Sequence, residues 1–154
     1  METGELRNRL CYWYSAKKSE EFITMRILYA ASEARPFAAS GGLADVAGSL
    51  PKALCAAGEE ACVVMPYYVN SFKPEQKEKM NYITNFTVPV GWRSQYCGLF
   101  SQQVDGVTYF FIDNEFYFKR DNGLYGYYDD AERYVFFSRA VLEMLKYIQF
   151  KPQV

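Results

Sequence analysis

The chain of 154 residues contains no histidine, and this absence removes several kinds of chemistry from it. Without an imidazole there is no Ser-His or Cys-His pair for nucleophilic catalysis and no histidine-ligated metal site. The four cysteines match neither a zinc-binding spacing nor a Cys-x-x-Cys redox pair; they are Cys11, Cys55, Cys62 and Cys97. Because no secretory signal is evident, we expect free thiols in the reducing cytoplasm, and we expect no metal site.

An excess of one charge and a long apolar run are missing as well. The 17 basic and 18 acidic residues leave a net charge of −1, which does not favour nucleic acid or an anionic membrane surface as a partner. No run of about 18 apolar residues occurs, so we predict no transmembrane helix. Aromatic residues, by contrast, are abundant at 18%, and the length is sufficient for one domain with a core.

The first 24 residues differ in pattern from the rest. Residues 1–24 mix acidic and basic side chains around Cys11-Tyr-Trp-Tyr14 and show no clean helical or strand period. They lack the apolar segment of a signal peptide. We interpret residues 1–24 as an upstream extension or a misassigned start and expect low order there. A surface helix over residues 15–23 is the alternative.

From residue 25 onwards, strand and helix signals alternate. Hydrophobic pattern and turn residues predict strands over 26–31, 61–65, 82–90, 95–104 and 107–112, and helices over 43–57 and 130 to about 148. Residues 70–79 read as a loop or short helix, and residues 116–128 as a loop rich in Tyr and Gly. The first strand–helix–strand unit predicts parallel strands, and Asp105-Gly106 predicts a hairpin. The fold class is therefore α/β and Rossmann-like, a mostly parallel sheet with an antiparallel hairpin, with ligands at the carboxyl ends of the strands.

Spacing also predicts which helix faces lie inward. The first helix should bury Leu43, Val46, Ala47, Leu50, Leu54 and Ala57, bend at Pro51 and end at Gly58. The last helix should bury Tyr134, Phe137, Val141, Leu145 and Ile148. At its start, Asp129 and Glu132 have the spacing of a capping box, so we read the acids Asp129, Asp130 and Glu132 as capping residues rather than an acid/base pair.

The most informative stretch is residues 25–50, where a strand leads through a loop to Gly41-Gly42 and then to a helix. Glycines let a backbone approach a phosphate closely, and the first amides of a helix point at the bound anion. The stretch is neither a Gly-x-Gly-x-x-Gly fingerprint nor a Walker A loop. It predicts an anion site, although a tight turn between strand and helix is the simpler reading.

These residues resemble the opening of bacterial glycogen synthases and plant starch synthases. Those enzymes have a Ser-Glu-x-x-Pro-Phe loop followed by Lys-x-Gly-Gly-Leu-x-Asp-Val. The matching positions are Ser32-Glu33, Pro36-Phe37, Gly41–Val46, Leu50–Leu54, Gly58, Val63–Pro66, Phe111–Asn114, Tyr125-Gly126 and Arg133. The resemblance runs from Met25 to Val154 and corresponds to the first quarter to third of a full enzyme. It implies that residues 25–154 are the N-terminal part of the catalytic domain, truncated before its end and incomplete.

The resemblance implies a GT-B fold of two Rossmann-like domains that face a cleft. It implies the transfer of glucose from ADP-glucose to the non-reducing end of an α-1,4-glucan, with retention, in cytoplasmic glycogen biosynthesis and without a cofactor. The partners would be ADP-glucose and the glucan, with no nucleic acid and no membrane. In this family the later domain supplies the nucleotide pocket, so we expect no turnover from the 154-residue chain alone.

Site residues follow from the same match. The expected donor-binding positions are Ala39, Ser40, Gly41, Gly42 and Asp45, and the family's lysine is replaced by Ala39, so Arg35 is a candidate for the missing cation. The expected acceptor-binding residues are Asp113, Asn114, Tyr117, Tyr125 and Arg133, and Tyr127 and Tyr128 could also stack on sugars. Simpler interpretations are also open. Asp45 would complement the helix dipole, and Asp113-Asn114 would form a turn. The tyrosines would pack the loop, and Arg133 would form a salt bridge. No catalytic residue is assigned.

Two other functions remain open on the sequence. One is a non-catalytic glucan-binding module derived from a synthase, which would bind glucan without the donor. The other is a GT-B transferase that uses a different nucleotide sugar or acceptor. No oligomeric state is assigned.

Overall fold

A computed structural model describes residues 24–154, so the interpretation of residues 1–24 lies, apart from Thr24, outside the described residues. Within this described part of the chain, five strands and four helices follow one another in the order β1 (Arg26–Ala30), α1 (Gly42–Ala56), β2 (Glu60–Pro66), α2 (Pro74–Glu78), β3 (Asn81–Val90), β4 (Arg93–Val104), β5 (Val107–Asp113), α3 (Glu115–Phe118) and α4 (Asp130–Met144). None of the helices within residues 24–154 is both long and apolar enough to cross a bilayer.

The strands form one mixed sheet in the order β1-β2-β5-β4-β3. β1 pairs with β2 and β2 with β5 in parallel, whereas β4 pairs with both β5 and β3 in antiparallel. The α/β class and the antiparallel hairpin are confirmed. The prediction of a mostly parallel sheet is wrong: two neighbour pairs are parallel and two are antiparallel, because β3 joins the hairpin as a third antiparallel strand.

Two predicted turns are confirmed in detail. Asp105 and Gly106 connect β4 to β5 with φ values of 50° and 82°, the two positive values that a type I′ hairpin turn requires. At the end of α1, Gly58 has φ of 98°, and its amide and that of Glu59 donate to the carbonyls of Cys55 and Leu54. These two hydrogen bonds form a Schellman cap, which explains why the helix stops there.

The buried face of α1 differs from the predicted one. Its buried residues are Ala44, Ala47, Gly48 and Pro51, whereas Leu43, Val46 and Leu50 remain 44%, 49% and 39% exposed. A Cβ on Gly48 would stand 2.9 Å from the Arg35 carbonyl oxygen. The small residues therefore let the helix backbone approach the chain at Arg35 closely, and this contact decides which face turns inward. Pro51 lies inside the continuous helix; the predicted bend there stays a prediction.

The last helix also departs from its prediction. It ends at Met144 rather than near Ile148, and its buried residues are Arg133, Phe136, Phe137, Ala140 and Met144. Ile148 is buried beyond the helix end, and the other predicted positions, apart from Phe137, are half-buried. The buried face of α4 is thus rotated from the predicted one, and the charged residue Arg133 occupies its first buried position.

The core lies on both sides of the sheet. On one side an aromatic group surrounds Phe37, whose ring lies 5.0 Å from Phe72, 5.1 Å from Tyr109 and 4.7 Å from Phe111. On the other side α4 contacts β3 and β5. The amide of Gln153 donates to the Arg26 carbonyl at 2.7 Å, and the amide of Leu28 donates to the Val154 carbonyl at 2.8 Å, so the last residues lie along the outer edge of β1.

Candidate functional site

Three parallel strands end at one edge of the sheet, and the connections that leave them meet there. The chain after β1 carries Ser32, the chain after β2 carries Tyr68, and the long connection after β5 carries Tyr125. Tyr134 joins them from α4. Ligands of open α/β sheets bind at this edge, so these four residues define the first candidate region.

The hydroxyl groups of these four residues, here named the hydroxyl cluster, form two contacting pairs that are joined through the Ser32 backbone carbonyl. Ser32 Oγ lies 2.7 Å from the Tyr125 hydroxyl, and the Tyr68 hydroxyl donates to the Ser32 carbonyl at 2.8 Å. The hydroxyls of Tyr68 and Tyr134 are 3.0 Å apart. The cluster thus ties three separate connections into one surface at the sheet edge.

An open pocket of about 410 Å³ adjoins the hydroxyl cluster. It is named the edge pocket here and is lined by Ser32, Tyr125, Asp130, Ala131 and Tyr134. Burial raises the pKa of the Tyr68, Tyr125 and Tyr134 hydroxyls above their ordinary value. Around neutral pH these phenols remain uncharged, so they offer hydrogen bonds and aromatic surface rather than acid/base chemistry.

The second candidate region is the glycine segment, residues 39–46, at the start of α1. Gly41 is the N-cap in extended conformation, and no side chain of the described residues caps the helix there. No atom of residues 24–154 lies within 4 Å of a Cβ built on Gly41 or Gly42, beyond their chain neighbours and local helix backbone. The helix start is therefore open, as an incoming anion requires.

One hydrogen bond and one ion pair connect the glycine segment to neighbouring side chains. Buried Glu33 accepts a hydrogen bond from the Ser40 amide, which fixes the approach to the glycines. Arg35 Nε lies 2.5 Å from Asp45 Oδ1, and both side chains are 61% exposed. The structure thus brings Arg35 to the first turn of α1, where its charge is shared with Asp45.

The predicted acceptor residues do not form one surface. Tyr125 borders the edge pocket with 37% of its surface exposed, whereas Tyr117 and Arg133 are fully buried. Asn114 is buried too, and its amide donates to the Tyr96 carbonyl at 2.8 Å while its oxygen accepts from the Tyr117 amide. Asn114, Tyr117 and Arg133 therefore present no surface to a glucan in this structure, because each side chain is used inside the fold.

Asp113 occupies a separate position at the end of β5, opposite Gly98 of β4. Its Oδ1 is buried and has no hydrogen-bond partner among residues 24–154. Burial raises the pKa of Asp113 to about 6, and the nearby Glu115 carboxylate adds to this effect. Asp113 is thus a carboxyl group that titrates close to neutral pH at the ligand edge, outside the lining of the edge pocket.

The predicted capping box of α4 is wrong. Asp129 Oδ2 accepts from Arg120 at 2.7 Å, and Glu132 accepts from the Tyr117 hydroxyl at 2.5 Å and from Arg93. Asp130 instead takes the local amides, since its Oδ2 accepts from Gly126 at 2.7 Å. An arginine contacts each of the three acids, Arg120 at Asp129, Arg133 at Asp130 and Arg93 at Glu132, which is why spacing alone misassigned them. None of the three forms an acid/base pair in this arrangement.

Several residues of the edge pocket and of the hydroxyl cluster were not among the predicted binding residues. Ser32 was used only as a motif residue, Tyr134 as a core residue and Asp130 as a cap, and Tyr68 was not singled out. The position of Ser32 and Tyr68 just after parallel strands was the signal that could have identified them.

Among residues 24–154 no group of three His, Cys, Asp or Glu is arranged to hold a metal ion, and the cysteines Cys55, Cys62 and Cys97 are free thiols.

Together, an open helix start and a hydroxyl-lined pocket lie at the carboxyl edge of a Rossmann-like α/β sheet, the edge at which ligands of this class of fold bind. A family model described as the starch synthase catalytic domain matches residues 26–154. The chain belongs to this family.

Individual relatives agree with the family match. The glycogen synthase of Geobacillus stearothermophilus is 57% identical over 130 residues, which cover 84% of this chain and 26% of that protein. The glycogen synthase of Caldicellulosiruptor bescii is 58% identical over 130 residues, covering 84% of this chain and 27% of that protein. The chain therefore spans about a quarter of the length of the curated relatives that it matches.

A solved structure gives the same result. The catalytic domain of starch synthase IV from Arabidopsis thaliana, bound to ADP and acarbose, superposes with a TM-score of 0.73 at 27% identity. The match covers 84% of this chain and 27% of that chain. The five-stranded sheet thus has the fold of part of a starch synthase catalytic domain, as the resemblance implied.

Proposed function

We propose that this chain is the acceptor-side part of an enzyme that moves glucose from ADP-glucose to the non-reducing end of an α-1,4-glucan with retention, in cytoplasmic glycogen synthesis. The observation that carries the proposal is the edge pocket with its hydroxyl cluster, beside the open helix start of the glycine segment. The related starch synthase IV structure is bound to ADP and acarbose, a nucleotide and a carbohydrate.

In this proposal the glycine segment faces the donor. The open amides of the first turn of α1 stabilise the negative charge that grows on the departing diphosphate. Ala39 and Ser40 lie at the approach, and the open space over Gly41 and Gly42 admits a phosphate to the backbone. No cofactor is proposed in addition to the donor substrate.

Arg35 is the proposed replacement for the family's lysine, whose position holds Ala39. Its guanidinium lies at the first turn of α1, where it pairs with Asp45. Because the ion pair with Asp45 is exposed and therefore weak, an anionic donor can compete with Asp45 for the Arg35 guanidinium. Arg35→Ala in the complete enzyme should raise the KM for ADP-glucose, and an unchanged KM would remove this role.

The edge pocket faces the acceptor in this proposal. Neutral phenols and a serine hydroxyl can exchange hydrogen bonds with sugar hydroxyls, and the ring of Tyr125 offers an apolar surface to a sugar face. Asp113 is proposed as a further acceptor contact at the same sheet edge. For Asn114, Tyr117 and Arg133, burial favours a supporting role over direct contact.

A chimera tests the proposed function. Residues 26–154 would replace the matching segment of the Geobacillus stearothermophilus glycogen synthase, and glucose transfer from ADP-glucose to glycogen would be measured. We expect turnover from the chimera, a strong loss in its Tyr125→Ala variant, and no turnover from the 154-residue chain alone. A folded but inactive chimera would contradict the proposal, and glucan extension by the isolated chain would contradict its predicted inactivity.

A further inference from the structure

We propose that Arg133 is a positioning residue whose buried guanidinium holds the connection after β5 so that Tyr125 stands at the edge pocket. Its effect on glucan binding rests on the proposed function, whereas its effect on the conformation of the connection does not. Arg133 lies in the first turn of α4 and has no exposed surface. A charged group is buried only at a large desolvation penalty unless its donors are used.

The guanidinium donates through Nε and Nη1 to two backbone carbonyls before α4 and to the Asp130 carboxylate in the first turn of α4, whereas its buried Nη2 has no hydrogen-bond partner among residues 24–154. Nε donates to the Tyr117 carbonyl at 2.7 Å, and Nη1 donates to the Leu124 carbonyl at 3.1 Å. Nη1 also donates to Asp130 Oδ1 at 2.5 Å. One side chain thus fixes two backbone positions seven residues apart, and the second of them immediately precedes Tyr125.

Asp130 contacts the backbone that follows Tyr125. While its Oδ1 accepts from Arg133, its Oδ2 accepts from the amides of Gly126 at 2.7 Å and Tyr127 at 3.2 Å. The backbone on both sides of Tyr125 is therefore bonded to the same Arg133–Asp130 pair. The Tyr125 hydroxyl contacts Ser32, and its ring lies 5.8 Å from that of Tyr134 between centroids.

Aromatic rings explain why the group should be a guanidinium. The Arg133 Cζ lies 4.9 Å from the ring centroid of Tyr127, 5.4 Å from that of Tyr134 and 5.6 Å from that of Phe118. A flat guanidinium can lie against rings and donate in fixed directions at once. A lysine ammonium would keep the charge but could not serve both carbonyls with the same geometry.

The test compares purified 154-residue chains that carry Arg133→Lys, Arg133→Met or Met144→Ala. Met144 is a buried residue of α4 that lies far along the helix from Arg133, so its variant controls for a general loss of packing. Hydrogen exchange is measured for residues 119–128 and for β2. We expect exchange in 119–128 to rise roughly tenfold in Arg133→Lys and further in Arg133→Met, with β2 unchanged in Arg133→Lys. Met144→Ala should show no such selectivity.

A double-mutant cycle supplies the second readout, the affinity for maltoheptaose. Because Arg133 acts through Tyr125, adding Arg133→Lys to Tyr125→Ala should weaken binding no further, whereas Arg133→Lys alone should weaken it several-fold. Unchanged exchange in 119–128, or weakening that adds to that of Tyr125→Ala, would overturn the positioning role. If the unmodified chain binds no maltoheptaose, the proposed function fails in this form, and the exchange measurement still decides the role of Arg133.

Discussion

The two ligand-facing regions of the molecule are built in opposite ways. The glycine segment, residues 39–46, is exposed, has no side-chain cap among the described residues and leaves open space over its glycines. The aromatic segment, residues 113–128, is held by Arg133 and Asp130 of α4, and its own Arg120 contacts Asp129. The first region presents backbone that a ligand can complete, and the second presents side chains whose positions the fold has already set. Changes to the residues that hold the second region should therefore affect stability, whereas changes in the first region should affect ligand binding with little effect on stability.

The largest expected effect is on the aromatic segment. Arg133→Met should lower the free energy of unfolding by about 3 kcal/mol or more, because it leaves buried acceptors without their donor. Urea denaturation measures the change. Lys146→Met is the matched control, since Lys146 is 66% exposed, and it should alter stability by less than about 1 kcal/mol. Equal effects of the two substitutions would break the comparison.

Two glycines of α1 sharpen the comparison within one helix. Gly48→Ala should destabilise the chain by about 1–3 kcal/mol, since its Cβ would stand close to the Arg35 backbone. Gly42→Ala should leave stability unchanged or raise it by up to about 1 kcal/mol, because alanine favours the helix and open space receives the methyl group. In the chimera, Gly42→Ala should nevertheless reduce transfer from ADP-glucose. Equal stability losses would show that the glycine segment is packed rather than open.

A smaller effect concerns pH at the start of the aromatic segment. The pKa of Asp113 is raised from its ordinary 3.8 to about 6 by burial and Glu115, so the folded state holds this proton more tightly than the unfolded chain. The contribution of Asp113 to stability is therefore greatest at low pH and is lost as pH rises through about 6.

Asp113→Asn should remove this part of the pH dependence and make the chain relatively more stable above that range. Denaturation midpoints are measured at pH values from below 3.8 to above about 6. Glu75→Gln, which changes an exposed residue of α2, is the control. Glu115→Gln should move the transition of Asp113 to lower pH. A pH profile identical in Asp113→Asn and the unmodified chain would contradict the assignment.

The smallest stability effect is expected in the glycine segment. Arg35→Ala breaks an ion pair whose side chains are both 61% exposed, so the free energy of unfolding should change by less than about 1 kcal/mol. Thermal denaturation measures it, and Asp45→Asn should behave alike. A loss as large as that of Arg133→Met would show that Arg35 is structural rather than available for the donor.

Much of the fold could be predicted from local signals. The strand positions, the turn at Asp105-Gly106 and the stop at Gly58 follow from alternation, positive φ and capping, which are properties of neighbouring residues. The buried face of α1 could not be predicted from spacing, because the large residues Leu43 and Val46 stay exposed while Ala44 and Gly48 pack. Close backbone approach, rather than residue size, decided that face.

The candidate site was predicted only in part. The family match pointed to Tyr125 and the glycine segment, which stay predictions as binding residues. It did not reveal the hydroxyl cluster, whose members come from three connections and a helix and meet only through the sheet topology. Arg133 was predicted to bind the acceptor, with a salt bridge as the alternative, yet carbonyl acceptors and three rings surround it in a buried position.

The most direct test of the account is a titration of the isotope-labelled chain with maltoheptaose, followed by amide resonances. We expect saturable shifts at Ser32, Tyr125, Gly126 and Ala131, which surround the edge pocket, and their loss in Tyr125→Ala. Shifts confined to a distant surface such as the exposed Trp92 at the β3–β4 turn, or no shifts at saturating glucan, would contradict the claim that the edge pocket receives the acceptor.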